Sequence, residues 1–461
     1  MAEIPNFLKL SQIPVNYLQE VETDVLDPVI FNEGSGATTD GFCRFTLQNK
    51  GFLHSHSKLL LSLTPAATVA RAFYPPNVGV NSIIKSAVLK VGNKVLNEIS
   101  DWNKFMALKS SHISCENNVE RELYTTGRFM NHKFIYTNGE TRNASGYGLA
   151  NGREDYIDND LLQMPFALME GGSPAQSPSY SVDLSDLFPF LKVHSLPLYM
   201  IDEPINIELT FVPPAQQRVT IANGDTAAQD FVIDRNELKF VADYIFYSPS
   251  TDAMQQFAEQ NKNMSFSFVD YRSATTTVSA TTLQSATVRN IGMANRQVTK
   301  VLTAFFSLDA SETAILNSYA MKGPEVGTAA NLDKTGTIEW NIRYNDRFEY
   351  SSNVANVARL HNLTTDADGM IFQTRSEYSG QGGGFAIASL FEGMDENGQL
   401  QSQMFMLANK LTGGRVGSRG IEIHVKVNNL TELGTDGIML NWSEYLRVAN
   451  LSGGVIDIYN V

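Results

Sequence analysis

The chain has 461 residues, of which 43% are hydrophobic and 18% charged, and its formal net charge is -14. This composition excludes a disordered chain, and the length exceeds what one hydrophobic core usually organises, so two or three domains are expected. The acidic balance disfavours a surface built to bind nucleic acid phosphates, which requires clustered Lys and Arg, but it leaves room for one local basic strip.

Two features bear on where the protein is made. The cysteines Cys43 and Cys115 are too few for a disulfide framework and favour a reduced, intracellular origin. The first residues lack the basic flank and continuous apolar core of a signal peptide, and no apolar run approaches the roughly 20 residues that span a bilayer. We therefore expect a chain that is not secreted through a signal peptide and has no membrane span.

Residues 1–40 are predicted to form an N-terminal arm and a lead-in to the first domain. Prolines and a Gly-Ser-Gly loop interrupt any long element within this region. Such an arm packs either on a neighbouring subunit or on its own domain, and the sequence leaves both alternatives open. The apolar residues that would make the contact are Ile4, Phe7, Leu8 and Leu10.

Residues 41–250 are predicted to form a first all-β domain. Gly, Asn, Pro or Asp interrupts the chain about every eight to twelve residues, which is typical of short strands joined by turns. Predicted strands are 42–47, 57–63, 83–91, 94–99, 205–211 and 237–247. The clearest is 205–211, in which apolar and polar residues alternate without a break, so that one face is buried. A short helix over 102–109 is predicted after Asp101.

Residues 251–262 are predicted to form a linker helix, and residues 263–461 a second all-β domain. Strand candidates in this half are 264–269, 298–308, 337–344, 370–374, 403–407, 421–427 and 455–459. Segment 421–427 has the same strict alternation as 205–211. Each half therefore holds roughly eight short strands, which predicts two tandem eight-stranded jelly-roll sandwiches with short helices in the loops and the linker.

Motifs that carry chemistry are largely missing from the sequence. There is no GxxxxGK[ST] loop, no GxSxG elbow and no HExxH motif, and no cofactor is expected. His54 and His56 share one side of an extended segment without further ligands nearby, so surface histidines are favoured over a metal site. Arg415 and Arg419, among glycines, form a small cationic loop that is either a solvated turn or a contact with another subunit or nucleic acid.

Three stretches, taken together, resemble the major capsid proteins of double jelly-roll DNA viruses. Residues 91–102 resemble that family's strand, Gly-containing turn, strand and helix. Residues 196–211 resemble its Leu-Pro-Leu motif, spacer and alternating strand, and residues 242–258 its strand with a central Tyr before the helix that joins the two jelly rolls. The motif residues are Gly92, Trp102, Leu196, Pro197, Leu198, Ile205, Ile207, Leu209, Phe211, Tyr244 and Phe257.

The chain's compact length is similar to the polinton-like virus and virophage type within this lineage. The resemblance implies a non-enzymatic structural protein that trimerises into pseudo-hexameric capsomers, which tile an icosahedral virion shell around a DNA genome. Its implied partners are further copies of itself, then penton and minor or cement capsid proteins, without sequence-specific nucleic acid binding. The resemblance also implies that the long Gly- and Asn-rich stretch 137–180 forms outward loops or interlocks between subunits, and that residues 1–20 contact the shell's inner face or a neighbouring capsomer.

Two other functions remain open at this point. A carbohydrate-binding or carbohydrate-active double sandwich would use paired carboxylates, and Glu392 with Asp395 or Asp155 with Asp158 could supply them. A viral attachment protein would form trimers that do not tile.

Overall fold

The computed structural model describes most of the two predicted domains but not the N-terminal arm. The described residues are 18–36, 38–65, 71–73, 78–110, 125–127, 169–170, 173–174, 179–192, 195–213, 220–221, 231–248, 250–278, 284–307, 327–328, 331–332, 335–368, 406–411, 414–427 and 437–461. The arm residues Ile4, Phe7, Leu8 and Leu10, the strand predicted at 370–374 and most of 137–180 lie outside them.

The first half of the chain forms sixteen strands in its described part. These are β1 (Leu18–Leu26), β2 (Ile30–Asn32), β3 (Gly41–Leu47), β4 (Phe52–Leu53), β5 (Lys58–Pro65), β6 (Arg71–Phe73), β7 (Ile84–Val91), β8 (Lys94–Ser100), β9 (Met169–Glu170), β10 (Ser173–Pro174), β11 (Ser179–Asp183), β12 (Leu196–Pro197), β13 (Ile205–Phe211), β14 (Thr220–Ile221), β15 (Phe231–Ile233) and β16 (Lys239–Ser248). Helices α1 (Trp102–Ser110) and α2 (Leu184–Leu187) lie in connections, with 3-10 turns at Gly79–Ile83, Pro189–Lys192 and Leu198–Met200.

Helix α3 (Ser250–Gln260) leads into the second half. Its described strands are β17 (Asn263–Val278), β18 (Gln284–Asn290), β19 (Val298–Ser307), β20 (Gly327–Thr328), β21 (Asn331–Leu332), β22 (Thr335–Tyr344), β23 (Arg347–Phe348), β24 (Val354–Asn356), β25 (Met406–Lys410), β26 (Ile421–Val427), β27 (Gly437–Ser452) and β28 (Val455–Asn460). A 3-10 turn covers Ile291–Met293, and helix α4 (Val357–Asp368) follows β24.

The main strands of the first half form two sheets, and we call this unit the first roll. Its sheet I has the order β1-β16-β5-β11, and its sheet II has the order β3-β13-β7-β8. Counted along the chain, these are strands 1-8-3-6 and 2-7-4-5. All of these ladders are antiparallel, and this order is that of a jelly roll built from two Greek keys.

The second half, which we call the second roll, repeats this order. Its sheet I is β17-β27-β19-β25, and its sheet II is β18-β26-β22 with β23 and β24 together in the fifth position. Strand β28 is an addition that forms a hairpin with β27. The predicted all-β fold of two tandem jelly rolls with short helices is therefore confirmed. Within the described residues no ladder joins the two rolls, while the predicted domain boundaries themselves stay predictions.

The predicted lead-in 1–40 contains a strand that the sequence patterns did not reveal. Strand β1 pairs with β16 over nine residues, from Leu18 opposite Ser248 to Leu26 opposite Phe240. Its valines Val21 and Val25 are exposed, and two of the three residues between them are acidic. Because burial of one face is what produces a readable alternation, this strand has none. Residues 18–26 are thus the first strand of the first roll.

Each roll has a core between its two sheets. In the first roll Phe45 of β3 contacts Phe240 of β16, with ring centroids 5.8 Å apart. In the second roll Phe305 of β19 and Trp340 of β22 are fully buried in one cluster. Among the described residues no helix is long and apolar enough to cross a membrane.

Candidate functional site: the junction between the two rolls

Groups suited to catalysis do not come together in the described part of the chain. No three His, Cys, Asp or Glu side chains there are arranged to hold a metal ion. Burial raises the pKa of the Cys43 thiol far above its ordinary value, so this thiol is unreactive. The rings of His54 and His56 lie 5.2 Å apart near the surface. Cys115 and the acidic pairs at 155/158 and 392/395 lie outside the described residues.

The most extensive buried feature beyond the two cores is the contact between the rolls. Alternate residues of β19 divide between two apolar clusters, because successive side chains of a strand point to opposite faces. Val301 and Phe305 belong to the core of the second roll, whereas Leu302 and Phe306 join the core cluster of the first. Sheet I of the second roll is therefore buried on both faces, and its outer face packs on the first roll.

Aromatic side chains fill this junction. Phe105 of α1 contacts Tyr271 of β17 and Trp442 of β27, with centroid distances of 4.8 and 5.9 Å. Phe190, in the 3-10 turn before β12, contacts Phe268 of β17 at 5.4 Å. The indole N–H of Trp442 donates to the carbonyl of Ser100, 3.3 Å away. Helix α1 and the end of β8 thus form the surface of the first roll that receives the second.

A buried ion pair joins the rolls beside these aromatics. Arg447 of β27 donates to Asp270 of β17 at 2.8 Å, and the same guanidinium donates to the carbonyls of Leu96 and Val95 in β8, at 3.0 and 2.9 Å. Asp270 also accepts a hydrogen bond of 2.8 Å from the side-chain amide of Asn97. Burial raises the pKa of the Asp270 carboxyl above its ordinary value, and the Arg447 charge opposes that rise.

The carboxylate of Asp270 belongs to a larger arrangement. Asp270 lies opposite Tyr445 of β27 in the strand register, and the tyrosine hydroxyl donates to the carboxylate at 3.2 Å. Arg296, from the connection before β19, stacks over the Tyr445 ring at 4.5 Å. The set consists of a carboxylate on the first strand of a roll, a tyrosine on its eighth strand and a cation in the connection before its third strand. We call this set the corner of the roll. In the second roll the corner carboxylate is buried against β8.

The first roll has the same corner, but no residue in the described part of the chain covers it. Glu22 of β1 lies opposite Tyr244 of β16, and Lys50, from the connection before β5, lies over the Tyr244 ring at 4.8 Å. Lys50 also pairs with Glu22 at 2.5 Å and with Asp24 at 2.8 Å. The Glu22 side chain is 55% exposed, in contrast to fully buried Asp270.

The outer face of sheet I in the first roll is likewise open. Val21 lies opposite Ile245, and Val25 lies opposite Val241, so these four side chains share one face. Val21 is 55% and Val25 63% exposed. The outer face of sheet I, which is buried in the second roll, is thus an exposed surface of apolar and polar side chains in the first roll.

The predicted motif residues other than Gly92 are buried, and the structure brings two of the three motifs together. Strand β4 pairs on one side with the Leu196-Pro197 motif and on the other with β16 beside Tyr244. Phe52 of β4 then contacts Phe257 of α3, with ring centroids 5.2 Å apart. The Leu-Pro-Leu motif and the linker helix therefore meet at the end of the first roll, where Leu198 is also buried.

The remaining motif residues lie elsewhere in the first roll. Gly92 has a φ of 59° in the β7–β8 turn, and a Cβ there would lie 2.8 Å from the Glu203 carboxylate. Trp102 is buried at the start of α1, and its indole N–H donates to Asn81 at 3.4 Å. Ile205, Ile207, Leu209 and Phe211 form the buried face of β13. Their roles as a family signature stay a prediction.

Sequence patterns did not identify the junction residues. Asp270 is the one acidic residue in the sequence of β17, which is the one local signal of a special position. Its partners Asn97 and Arg447 are more than 170 residues away in the chain, at separations of 173 and 177. Nothing in local periodicity connects them.

Comparison with known proteins identifies the fold of the chain. No family model and no curated protein matches the sequence. Among solved structures, a chain of the Sputnik virophage is similar over 98% of this chain and 90% of its own length, with a TM-score of 0.59 and 10% identity. The chain has the double jelly-roll fold.

Two further structures support the same assignment of fold. A chain of the PBCV-1 virus capsid matches with a TM-score of 0.54 and 9% identity, covering 99% of this chain and 100% of that one. The Faustovirus major capsid protein matches with a TM-score of 0.54 and 8% identity, covering 96% and 92%. The double jelly roll therefore accounts for nearly the whole chain, with no large region left over.

Proposed function

We propose that this protein is a major capsid protein, a structural component of a DNA virus shell without enzymatic activity. The observation that carries the proposal is the similarity over nearly the whole length, in both directions, to a virophage chain and to two viral capsid structures. The two rolls of identical strand order, joined by an apolar junction that is continuous with the core of the first roll, are suited to a rigid building block. The protein would act in the virion, with penton and minor capsid proteins as further partners.

The contact between the rolls supports a trimer. It is heterologous, because the outer face of sheet I on one roll meets α1 and β8 on the other, and heterologous contacts that close produce rings. The first roll presents the equivalent outer face of sheet I, with Val21 and Val25 exposed. The second roll presents α4, which follows its fifth strand as α1 does in the first. Six rolls from three copies would complete the ring, with a near-hexagonal outline.

The exposed corner of the first roll fits the same scheme. Glu22 in one copy would accept hydrogen bonds from the β23–β24 region of the next, as Asp270 accepts them from β8 within the chain. Obligate contacts of this kind are large and substantially apolar, whereas contacts between capsomers are smaller and more polar. The stretch 137–180 would then form outward loops.

A double variant tests the trimer. Val21→Glu with Val25→Glu places two charges on the open face and is expected to convert trimers to monomers in analytical ultracentrifugation. Ile291→Glu is the matched control, because Ile291 is also 63% exposed but lies on a connection of the second roll. Trimers that survive the double variant would overturn this choice of face. Negative-stain microscopy of the same samples separates hexagonal capsomers from trimers that do not tile.

The N-terminal arm would contact the shell's inner face or a neighbouring capsomer through Ile4, Phe7, Leu8 and Leu10. Strand β1 begins at Leu18, so a deletion of residues 1–17 removes the arm and leaves the first roll complete. We expect the truncated protein to form trimers but not closed shells. Assembly equal to that of the full chain would contradict the arm's role.

A further inference from the structure

The connections at one end of the second roll carry a group of arginines that the proposed shell role does not use. Arg347 follows the β22–β23 turn, and Arg415 and Arg419 lie in the connection between β25 and β26. We call these three residues the arginine tip. All three are exposed.

Hydrogen bonds between the connections hold the arginine tip in place. The Val416 N–H donates to the carbonyl of Arg296 at 2.8 Å, and the Asn295 N–H donates back to Val416 at 3.0 Å. The Asn345 side chain donates to the carbonyl of Arg415 at 3.1 Å and accepts from the Gly417 N–H. Because these loops are mutually bonded, binding through them would lose little backbone entropy.

Little negative charge offsets the arginine tip. Arg419 pairs with Asp346 at 2.7 Å, in an ion pair whose two side chains are 71% and 66% exposed. Within the described residues, Arg347 and Arg415 form no ion pair. A cluster of cations on a chain of net charge -14 is a local departure from the overall acidic surface.

The position of the tip in the fold indicates which way it faces. The tip lies at the end of the second roll where β17 begins and where β18 and β22 finish. Strand β16 ends and β1 begins at the same end of the first roll, and α3 connects the two rolls there. Leu18, the first described residue, therefore lies at this end, which we call the arm end, whereas β11 and β25 begin at the opposite end.

We infer that the arginine tip binds the phosphate backbone of duplex DNA without sequence preference. The inference rests on the proposed function, in which the arm end of the rolls faces the shell interior. A guanidinium presents a planar fork of N–H donors that matches a phosphate in two bonds, and it stays charged at any physiological pH. Neighbouring capsomers lie beside the rolls rather than at their ends, so they are less suited to contact the tip.

Salt dependence provides the test. Binding of the full-length protein to a fluorescent DNA duplex is followed by anisotropy between 50 and 200 mM NaCl. Each phosphate contact contributes a slope of about -0.9 in log K against log salt, so three contacts predict about a 40-fold loss of affinity over this range. The Arg415→Gln, Arg419→Gln double variant should lose only about 3.5-fold over the same range and bind more weakly at 50 mM.

Two controls distinguish DNA binding through the arginine tip from general electrostatic attraction to other cations of the protein. Arg235→Gln removes an exposed cation of the first roll, away from the tip, and should leave the slope unchanged. Two duplexes of unrelated sequence should bind equally. An unchanged slope in the double variant would overturn the inference, and so would binding of the tip to vesicles of anionic phospholipid but not to DNA.

DNA binding by the arginine tip and the proposed shell function can be tested separately. Negative-stain microscopy of the double variant should show wild-type capsomers, because Arg415 and Arg419 lie in the connection between β25 and β26, outside the proposed trimer contact. Capsomers with lost DNA binding support the inference. A wild-type protein that binds DNA through the tip but forms no capsomers would contradict the shell role alone.

Discussion

The two rolls share one strand order but differ in what covers their sheet I. In the second roll the outer face of this sheet is buried against α1 and β8, and its corner carboxylate Asp270 is fully enclosed. In the first roll the same face carries exposed Val21 and Val25, and its corner carboxylate Glu22 is half exposed. The contact that sheet I of the second roll makes inside the chain is the one that sheet I of the first roll would make between chains in the proposed trimer.

The largest expected effect comes from breaking the buried corner. Asp270→Asn leaves the Arg447 guanidinium buried without a counter-charge and should lower the free energy of unfolding by about 3–5 kcal/mol. Glu22→Gln is the matched change in the exposed corner and should cost about 1 kcal/mol or less. Urea denaturation measures both. Equal losses would contradict the difference between the corners.

Two glycines, one in a connection of each roll, provide a second comparison. Gly51, between β3 and β5, and Gly414, between β25 and β26, have φ values of 57° and 72°. Alanine at either position adopts a left-handed backbone at a cost of about 1–2 kcal/mol. A Cβ at Gly51 would lie 2.8 Å from the carbonyl oxygen of Ile245, whereas a Cβ at Gly414 would have no atom of the described residues within 4 Å apart from its chain neighbours. Gly51→Ala should therefore cost about 1–3 kcal/mol more than Gly414→Ala in thermal or urea unfolding.

A third, smaller effect tests the aromatic junction. Phe190→Leu keeps an apolar side chain but removes the ring contacts with Phe266 and Phe268, and should lower the free energy of unfolding by about 1 kcal/mol. Phe348→Leu is the control, because Phe348 is 47% exposed, and its effect should stay within about 0.5 kcal/mol. A control effect as large as the junction effect would argue against tight packing between the rolls.

Acidification should change the stability contributed by Asp270, at the junction, and by Glu339, in sheet II of the second roll, in opposite directions. Hydrogen bonds from Asn353 and Lys426 lower the pKa of Glu339 in β22 below its ordinary value of 4.5, so its stabilisation is present above pH 4.5 and is lost as pH falls. The pKa of Asp270 is raised above 3.8, so its contribution is present below pH 3.8 and is lost as pH rises through the folded value.

Glu339→Gln should therefore reduce the loss of unfolding free energy on acidification. Chemical denaturation at a series of acidic pH values measures this slope. Lys85→Gln, in an exposed pair with Asp40, is a control that leaves Glu339 in place. A steeper acid loss in Glu339→Gln would contradict the assigned sign.

How much the sequence predicts depends on how many faces of a strand are buried. Strands β13 and β26 are predicted with nearly correct bounds, because each has one buried face and alternates strictly. The sixteen-residue strand β27 is missed, because sheet I of the second roll is buried on both faces and the alternation disappears. Strand β1 is missed for the opposite reason, since neither of its faces is fully buried and its residues do not alternate between apolar and polar.

The residues that join the two rolls are not predicted by local sequence patterns. Turn chemistry at Gly92 and helix periodicity at Phe257 are local properties, and they predict the hairpin and the linker helix. The ion pair of Asp270 and Arg447 with β8 depends on how two complete rolls dock, which no local pattern encodes. The resemblance to capsid proteins gives the fold, but it does not identify the residues that join the rolls.

The mass of the purified protein in solution tests the central claim most directly. Sedimentation equilibrium at micromolar concentration should give three copies of the 50.9 kDa chain, about 153 kDa, for the wild type. A stable monomer of 50.9 kDa at high concentration would contradict the reuse of the contact between chains, and with it the proposed shell assembly.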